Sequence, residues 1–275
     1  MTARSRLGVP LSARIRTRRV ASRPKLSRRE RWVLGTAGVV LVFVAWELAT
    51  ALGALDPMFA SSPTRITKKI GDLLADGTLV EASLSSARLF AVGFLIALVL
   101  GVTIGIILGW YRRARAIFDP WVSILYAAPR IAFIPLIIVW SGAGFRTQVI
   151  MVILTAAFPI LVNVMVGVDT IDRQLMRVAQ SFNATNFDVL RTVALPGAVP
   201  FIVSGIRQGM MVGLIGTVVA EYFIGITGIG GMIFNAGLLL DTSTALVGAL
   251  IFAAAAVVLN ALLEMLQARV ERWRA

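Results

Sequence analysis

Residues 178–205 read VAQSFNATNFDVLRTVALPGAVPFIVSG. A polar segment about one helix long leads into the turn Leu195-Pro196-Gly197-Ala198-Val199-Pro200, and a new apolar span follows. Hydrophobic stretches of membrane length stand on either side. Helical bundles join neighbouring helices by connections of about 2–8 residues. This one is longer and is patterned to fold: a short amphipathic helix over about 175–190, stopped by the prolines. An ordered element on a membrane face implies a surface on which something docks.

Composition sets the frame around that segment. Of 275 residues, 58% are hydrophobic and 15% are charged, well below the roughly 25% charged of soluble domains. Several apolar runs exceed the length of about 18 residues that marks a membrane span. The fold class is therefore all-α and polytopic, with six transmembrane helices. No cysteine or histidine occurs, which excludes disulfides, Cys/His metal sites and Ser-His or Cys-His nucleophile pairs. The net charge of +13 is unevenly spread: eleven basic residues lie between Arg4 and Arg31 with one acid, Glu30. Such a run ahead of an apolar segment is the positive-inside signal and keeps the N-terminus in the cytoplasm. Ala49-Thr50-Ala51 resembles a signal-peptide cleavage site, but the apolar stretch before it exceeds the ordinary 7–15 residues or so, so the first helix is expected to stay uncleaved.

Span 1 covers about 32–55 and contains Glu47. Ser62 as N-cap and Pro63 at the first helical position start a short helix to about Ala75. A helix from near Thr78 becomes span 2, about 87–110, and the basic run 111–115 ends it at the cytoplasm. Span 3 is expected over about 121–141, span 4 over 147–168, span 5 over 198–224 and span 6 over 244–266. The stretch 225–231, GITGIGG, reads as a flexible outer loop. The chain then divides into a basic tail (1–31), the first span with outer short helices (32–86), a core (87–266) holding the cytoplasmic loop 169–197, and a C-terminal tail (267–275).

These residues resemble the permease subunit of bacterial ATP-binding-cassette importers, in the nitrate/sulfonate/taurine branch, over about 61–266. The anchors are Ser62-Pro63, the stretch 83–109, Asp119-Pro120 with Pro129, Pro135 and Trp140-Ser141-Gly142, and Ala220-Glu221 followed by Gly228-Ile229-Gly230. The family's cytoplasmic loop reads Glu-Ala-Ala, three residues, Gly-Ala, then Leu-Pro. Ala179, Ala184, Leu195, Pro196 and Pro200 match it, whereas Arg177, Val178 and Asn183 stand at its Glu, first Ala and Gly. Asn adopts left-handed dihedrals more readily than most residues, so Asn183 can still serve the glycine's turn. The resemblance implies a type I importer permease in the bacterial inner membrane with both termini cytoplasmic. It implies a second permease copy, two ATPase subunits docked on the loop, and a solute-binding protein on the outer side. ATP and magnesium belong to the ATPase, consistent with the absence of a P-loop signature here, and no covalent chemistry and no nucleic acid are expected. The solute implied is small and often anionic: nitrate, taurine, a sulfonate or a related acid.

Gly101, Gly105 and Gly109, and again Gly205, Gly209 and Gly213, repeat every four residues, a spacing that lets membrane helices approach closely. The second stripe is also a candidate dimer contact. Charges within spans are costly and face protein or water, which makes Arg130, Arg207 and Glu221 candidates for the translocation path, with Asn163 and Met210 beside them. Glu47 reads as structural. The alternative class is an ion-coupled secondary transporter, which needs intramembrane carboxylates or inverted repeats; no three-span repeat is visible. An intramembrane hydrolase lacks its nucleophile pair.

Overall fold

The computed structural model describes residues 27–170, 178–179, 181–224 and 227–271, all helix and connecting turns, with no strand among them. The expectations for the tail before Ser27, for Arg177 and for the residues after Glu271 lie outside the described residues. The chain falls into two compact units, Met1–Ala45 and Trp46–Ala275. Helix α1 (Arg28–Ala51), whose residues up to Ala45 belong to the first, starts from a reciprocal cap: the Ser27 N–H donates to Glu30 Oε2 (2.7 Å) and the Glu30 N–H to Ser27 Oγ (3.2 Å). That backbone N–H, with the Ser27 side chain, holds the Glu30 carboxyl below its ordinary value.

The elements after α1 are α2 (Pro57–Ala60), α3 (Pro63–Ala75), α4 (Thr78–Trp110), α5 (Arg112–Ala127), α6 (Ile134–Ser141), α7 (Phe145–Asp169), α8 (Asn186–Val189), α9 (Leu195–Ile224), α10 (Gly228–Leu238) and α11 (Thr242–Glu271). Five stretches are long and apolar enough to span a membrane: Trp32–Ala51, Thr78–Trp110, Phe145–Asp169, Asn186–Ile224 and Thr242–Met265. The pair Arg112–Ala127 and Arg130–Ser141, bent by 93°, makes a sixth when the two helices are counted together as one broken span.

Helix α7 stands between α4 and α9, and both neighbours meet it through glycine. A Cβ on Gly101, Gly105 or Gly109 of α4 would lie 2.7–2.8 Å from the Cβ of Ile160, Val164 or Val168. On α9, a Cβ on Gly205 would lie 2.9 Å from the Asn163 Cβ, one on Gly209 2.5 Å from the Ile160 Cγ1, and one on Gly213 3.1 Å from the Ala156 Cβ. Side chains at these positions would force the helices apart. The α9 stripe is thus spent inside the chain, and the dimer contact considered for it is corrected. Ile160 and Val164 are fully enclosed between the two stripes.

At the other end of the bundle, Ser62 caps α3, accepting the Arg65 N–H (3.3 Å). Ile66 and Leu73 of α3 pack with Leu79 and with Val247 of α11. Ser61 hydrogen-bonds Ser243 (2.8 Å), and Glu47 accepts the Thr64 N–H (3.0 Å).

Four local expectations are corrected. Span 3 is not one rod: α5 ends at Ala127, and a 3-10 turn, Arg130–Phe133, leads into α6. Pro129 lacks an N–H, so the helical ladder stops there. The Leu195–Pro200 turn is helical instead. Pro196 threatens the carbonyl four residues back, at Thr192, and the chain answers with a π turn over Leu190–Ala194, in which the Leu195 N–H reaches back to the Leu190 carbonyl. Such one-turn widenings are how helices absorb an extra residue. The single helix expected over 175–190 is interrupted at residues 182–185. Finally, Gly228 opens α10, and Gly228–Gly231 are buried helix rather than loop.

Replacing Gly105 with Val should lower stability by about 1–3 kcal/mol, the usual cost of overpacking. Gly71→Ala, in α3 with open space around it, should raise stability by about 0.4–1 kcal/mol. Thermal unfolding in detergent measures both; equal behaviour of the two variants would refute the packing role of the α4 stripe.

Candidate functional site

Three polar centres interrupt the apolar bundle. The most enclosed is Glu221, 1% exposed on α9. Its Oε2 accepts the Ser86 hydroxyl of α4 (2.8 Å) and the Gly230 N–H of α10 (2.9 Å). Ser86 Oγ in turn accepts the Ile229 N–H (2.8 Å). The first N–H groups of a helix have no partner within it, and here a carboxylate and a hydroxyl from two other helices supply them. Gly228, at φ 83°, leaves no room for a side chain: a Cβ would stand 2.1 Å from Glu221 Oε1. Oε1 itself has no hydrogen-bond partner among the described residues. Ala220-Glu221 and Gly228-Ile229-Gly230 are therefore the two halves of one junction between α4, α9 and α10.

Beside this junction lies a cavity of about 390 Å³, lined in part by Thr78, Glu81, Ser85, Asn235 and Asp241. Burial raises the Asp241 carboxyl, but hydrogen bonds from the Thr244 hydroxyl (2.7 Å) and N–H (3.1 Å) and from Lys69 (3.0 Å) outweigh it and leave the group below its ordinary value.

The second centre joins α7, α9 and α11. Arg207 donates from Nε to Asn260 (3.0 Å) and from Nη2 to Glu264 (2.8 Å). On the adjacent face Asn163 donates to Gln208 (2.8 Å) and to the Pro159 carbonyl (2.8 Å). Met210 packs against the α4–α7–α9 core.

The third is Arg130, just past the break between α5 and α6. Its Nη2 donates to the Tyr126 carbonyl (2.9 Å), and its guanidinium stands 5.4 Å from the Tyr126 ring and 5.9 Å from that of Phe158.

At the end that carries Arg112, Arg113 and Arg115, the segment before α9 forms a compact fold-back. The Ala179 carbonyl accepts the N–H of Phe182 (3.1 Å) and of Ala184 (3.2 Å), and Asn183 takes φ 55° between them. Thr185 then caps α8 reciprocally with Asp188: Oγ1 accepts the Asp188 N–H (3.2 Å) and Oδ2 the Thr185 N–H (3.0 Å). Phe182 (83% exposed), Phe187 (68%) and Val178 (54%) are left outward. Leu195, Pro196 and Pro200 lie in the first turns of α9. Ser86, Gln208, Asn260, Glu264 and the two rings around Arg130 went unread in the sequence. Most of their partners are 28 to 135 residues away, and no local pattern marks such pairs.

Removing the acceptor at Glu221 should leave the Ser86 hydroxyl and the Gly230 N–H unpaired, at a cost of about 1–3 kcal/mol. Glu221→Ala is expected to show that loss in thermal unfolding, with Glu221→Gln closer to the parent because its carbonyl keeps one acceptor. Parent-like stability of Glu221→Ala would refute the cap.

Comparison with known proteins gives the arrangement its family. The model of the binding-protein-dependent transport system inner membrane component matches residues 101–275. The taurine transport system permease protein of Escherichia coli (strain K12) is 30% identical over 272 residues, covering 97% of this chain and 98% of its own. The putative aliphatic sulfonates transport permease protein of Bacillus subtilis (strain 168) is 29% identical over 247 residues, 90% of each chain. The riboflavin transport system permease protein of Chloroflexus aurantiacus is 30% identical over 259 residues, 94% of this chain and 97% of its own. With its all-helical bundle and membrane-length spans, this chain belongs to the family of binding-protein-dependent transport system inner membrane components and is the permease subunit of an ATP-binding-cassette importer.

Proposed function

We propose that the chain works as one of a pair of identical permeases that import a small sulfonate, taurine or a similar organic anion. The full-length relationship to taurine and sulfonate permeases carries this reading. The arginine-rich end faces the cytoplasm, by the positive-inside bias of Arg4–Arg31 and of Arg112, Arg113 and Arg115. Two ATPase subunits, which hold the ATP and magnesium, dock there on residues 169–197, and a solute-binding protein delivers the solute to the opposite face. This chain performs no covalent chemistry.

The described part of the docking segment suits that role. Phe182 and Phe187 present aromatic surface at a polar membrane face, and exposed aromatic anchors are the usual centres of protein interfaces. The caps on either side fix their positions. From Asn186 the helix runs on through Leu195 into α9, so displacement of the segment is transmitted to a spanning helix.

The second reading, a flavin-like solute, rests on the equally extensive likeness to the riboflavin permease. Uptake of taurine, ethanesulfonate and riboflavin by proteoliposomes bearing the whole transporter separates the two. Sulfonate or taurine uptake dependent on ATP is expected, and riboflavin uptake alone would overturn the proposal. Ala184→Arg and Phe187→Asp should each weaken ATPase co-purification about tenfold or more, as loss of one interface anchor worth about 2 kcal/mol does. Membrane insertion should be unchanged, and full ATPase recovery with both variants would remove the docking assignment.

A further inference from the structure

Two arginines stand at mid-depth of the bundle, and the protein treats them differently. Phe158, against which Arg130 rests, is 13 residues from Phe145 and 11 from Asp169 in α7. At 1.5 Å per residue that is roughly 20 Å and 16 Å from the two ends. Arg207 lies between Gly205 and Gly209, whose contacts on α7 are Asn163 and Ile160, so its depth is similar. Arg207 is neutralised by Glu264 and braced by Asn260. For Arg130, no carboxylate forms an ion pair with it among the described residues. Among the described residues its enclosed Nε has no acceptor, and the guanidinium's one protein acceptor is the Tyr126 carbonyl.

A charge at the bilayer centre costs about 2.5–3.5 kcal/mol on insertion scales. Contact with a ring returns about 0.5–2 kcal/mol and uses none of the five guanidinium donors. The backbone beside Arg130 gives an independent indication. The chain bends by 93° across Ala128–Pro129, and Ala127, Pro129, Ile131 and Ala132 are exposed. Non-helical backbone at membrane depth is tolerated only where it is buried in protein or lines an aqueous cavity. This stretch is not buried within the chain.

We infer that Arg130 is the anion station of the translocation route: its free N–H groups receive the sulfonate or carboxylate oxygens of the solute at mid-membrane, whereas Arg207 is a structural ion pair. A planar guanidinium matches two oxygens of such a group at once, and Tyr126 and Phe158 hold the plane in place. At this depth a lipid headgroup does not reach it. The inference rests on the reading of the chain as an anion importer and extends it to a single residue.

The test has two arms. In the first, the wild-type transporter in detergent is labelled with phenylglyoxal, and adducts at each arginine are followed by peptide mass spectrometry. Ethanesulfonate at twice its half-saturating concentration should slow labelling of Arg130 about threefold, as simple competition requires, while Arg207 keeps its rate and ethylene glycol has no effect. Labelling of Arg130 that ethanesulfonate leaves unchanged overturns the station. The second arm uses the absence of cysteine: Arg130→Cys supplies a unique thiol. Uptake of ethanesulfonate should fall about tenfold or more, the consequence of losing about 1.4 kcal/mol or more. Aminoethylation of the thiol should restore uptake and sulfonatoethylation should not. Parent-like uptake by unmodified Arg130→Cys overturns the proposal. If that variant does not fold, the labelling of the wild type decides. A wild-type transporter that imports no sulfonate, yet shows protection at Arg130, would reject the importer's substrate class and leave the station standing.

Discussion

Lipid chains are as apolar as leucine, so burying one apolar helix against another gains little in a membrane, and association rests on how closely backbones approach. In this chain that closeness is confined to one seam. Helices α4 and α9 meet α7 from two directions, each through glycines spaced by four, and Ile160 fits between both stripes. Ridges of β-branched side chains fill the space the missing Cβ atoms leave. Because all but one of those contacts fall under 3 Å for an added carbon, and the remaining one, at Gly213, is 3.1 Å, neither helix can rotate or slide by a residue without collision. The seam therefore sets register as well as distance.

Register is what the polar centres need. Glu221 lies two turns beyond Gly213 on α9, and Ser86 lies about two turns before Gly93 on α4, which itself abuts Val152. With both helices locked to α7, the carboxylate and the hydroxyl arrive together at the start of α10, and two glycines there admit them. Arg207, between two seam glycines, is turned by the same register toward Asn260 and Glu264 of α11. A slip of one residue would turn Arg207 by about 100° away from its partners and leave a charge unpaired at mid-depth.

What the sequence discloses follows from range. The cap at Ser62 with Pro63, the span positions, the i+4 glycines and the αL turn at Asn183 are local patterns, and each has a local physical cause. The pairing of Glu221 with Ser86, 135 residues apart, is set by packing and leaves no periodic trace. The prolines misled for a different reason. Pro196 and Pro200 read as a turn because proline ordinarily breaks a helix, yet a π turn just before them moves the threatened carbonyl out of the way at the cost of one residue of register. In α10, Gly-Ile-Gly-Gly reads as a loop because glycine disfavours helix; the buried carboxylate, invisible locally, is what requires glycine there.

Irregular backbone is unevenly distributed, and its distribution separates frame from working parts. The helix α4, one wall of the seam, contains no proline. The breaks fall on the outer partners of α7: the 93° bend before Arg130 and the π turn between the capped segment and α9. A π turn has already given up one hydrogen-bond register, so the helix can exchange i+4 for i+5 pairing there with less loss than in regular helix. In the proposed coupling, a displacement applied at Phe182–Val189 meets this weak point before it meets the glycine seam. The basic-end turns of α9 can then move while the seam holds Glu221 and Arg207 in place. The bend at Pro129 has a complementary place in the proposal, since it sets the Arg130 guanidinium, which has no carboxylate partner among the described residues, beside exposed backbone. Helix α7 itself carries the buried Pro159 within the seam, a lost backbone hydrogen bond that the close packing around it tolerates, whereas the larger departures, the bend and the π turn, fall at the two points where a passing anion and an external partner are proposed to act.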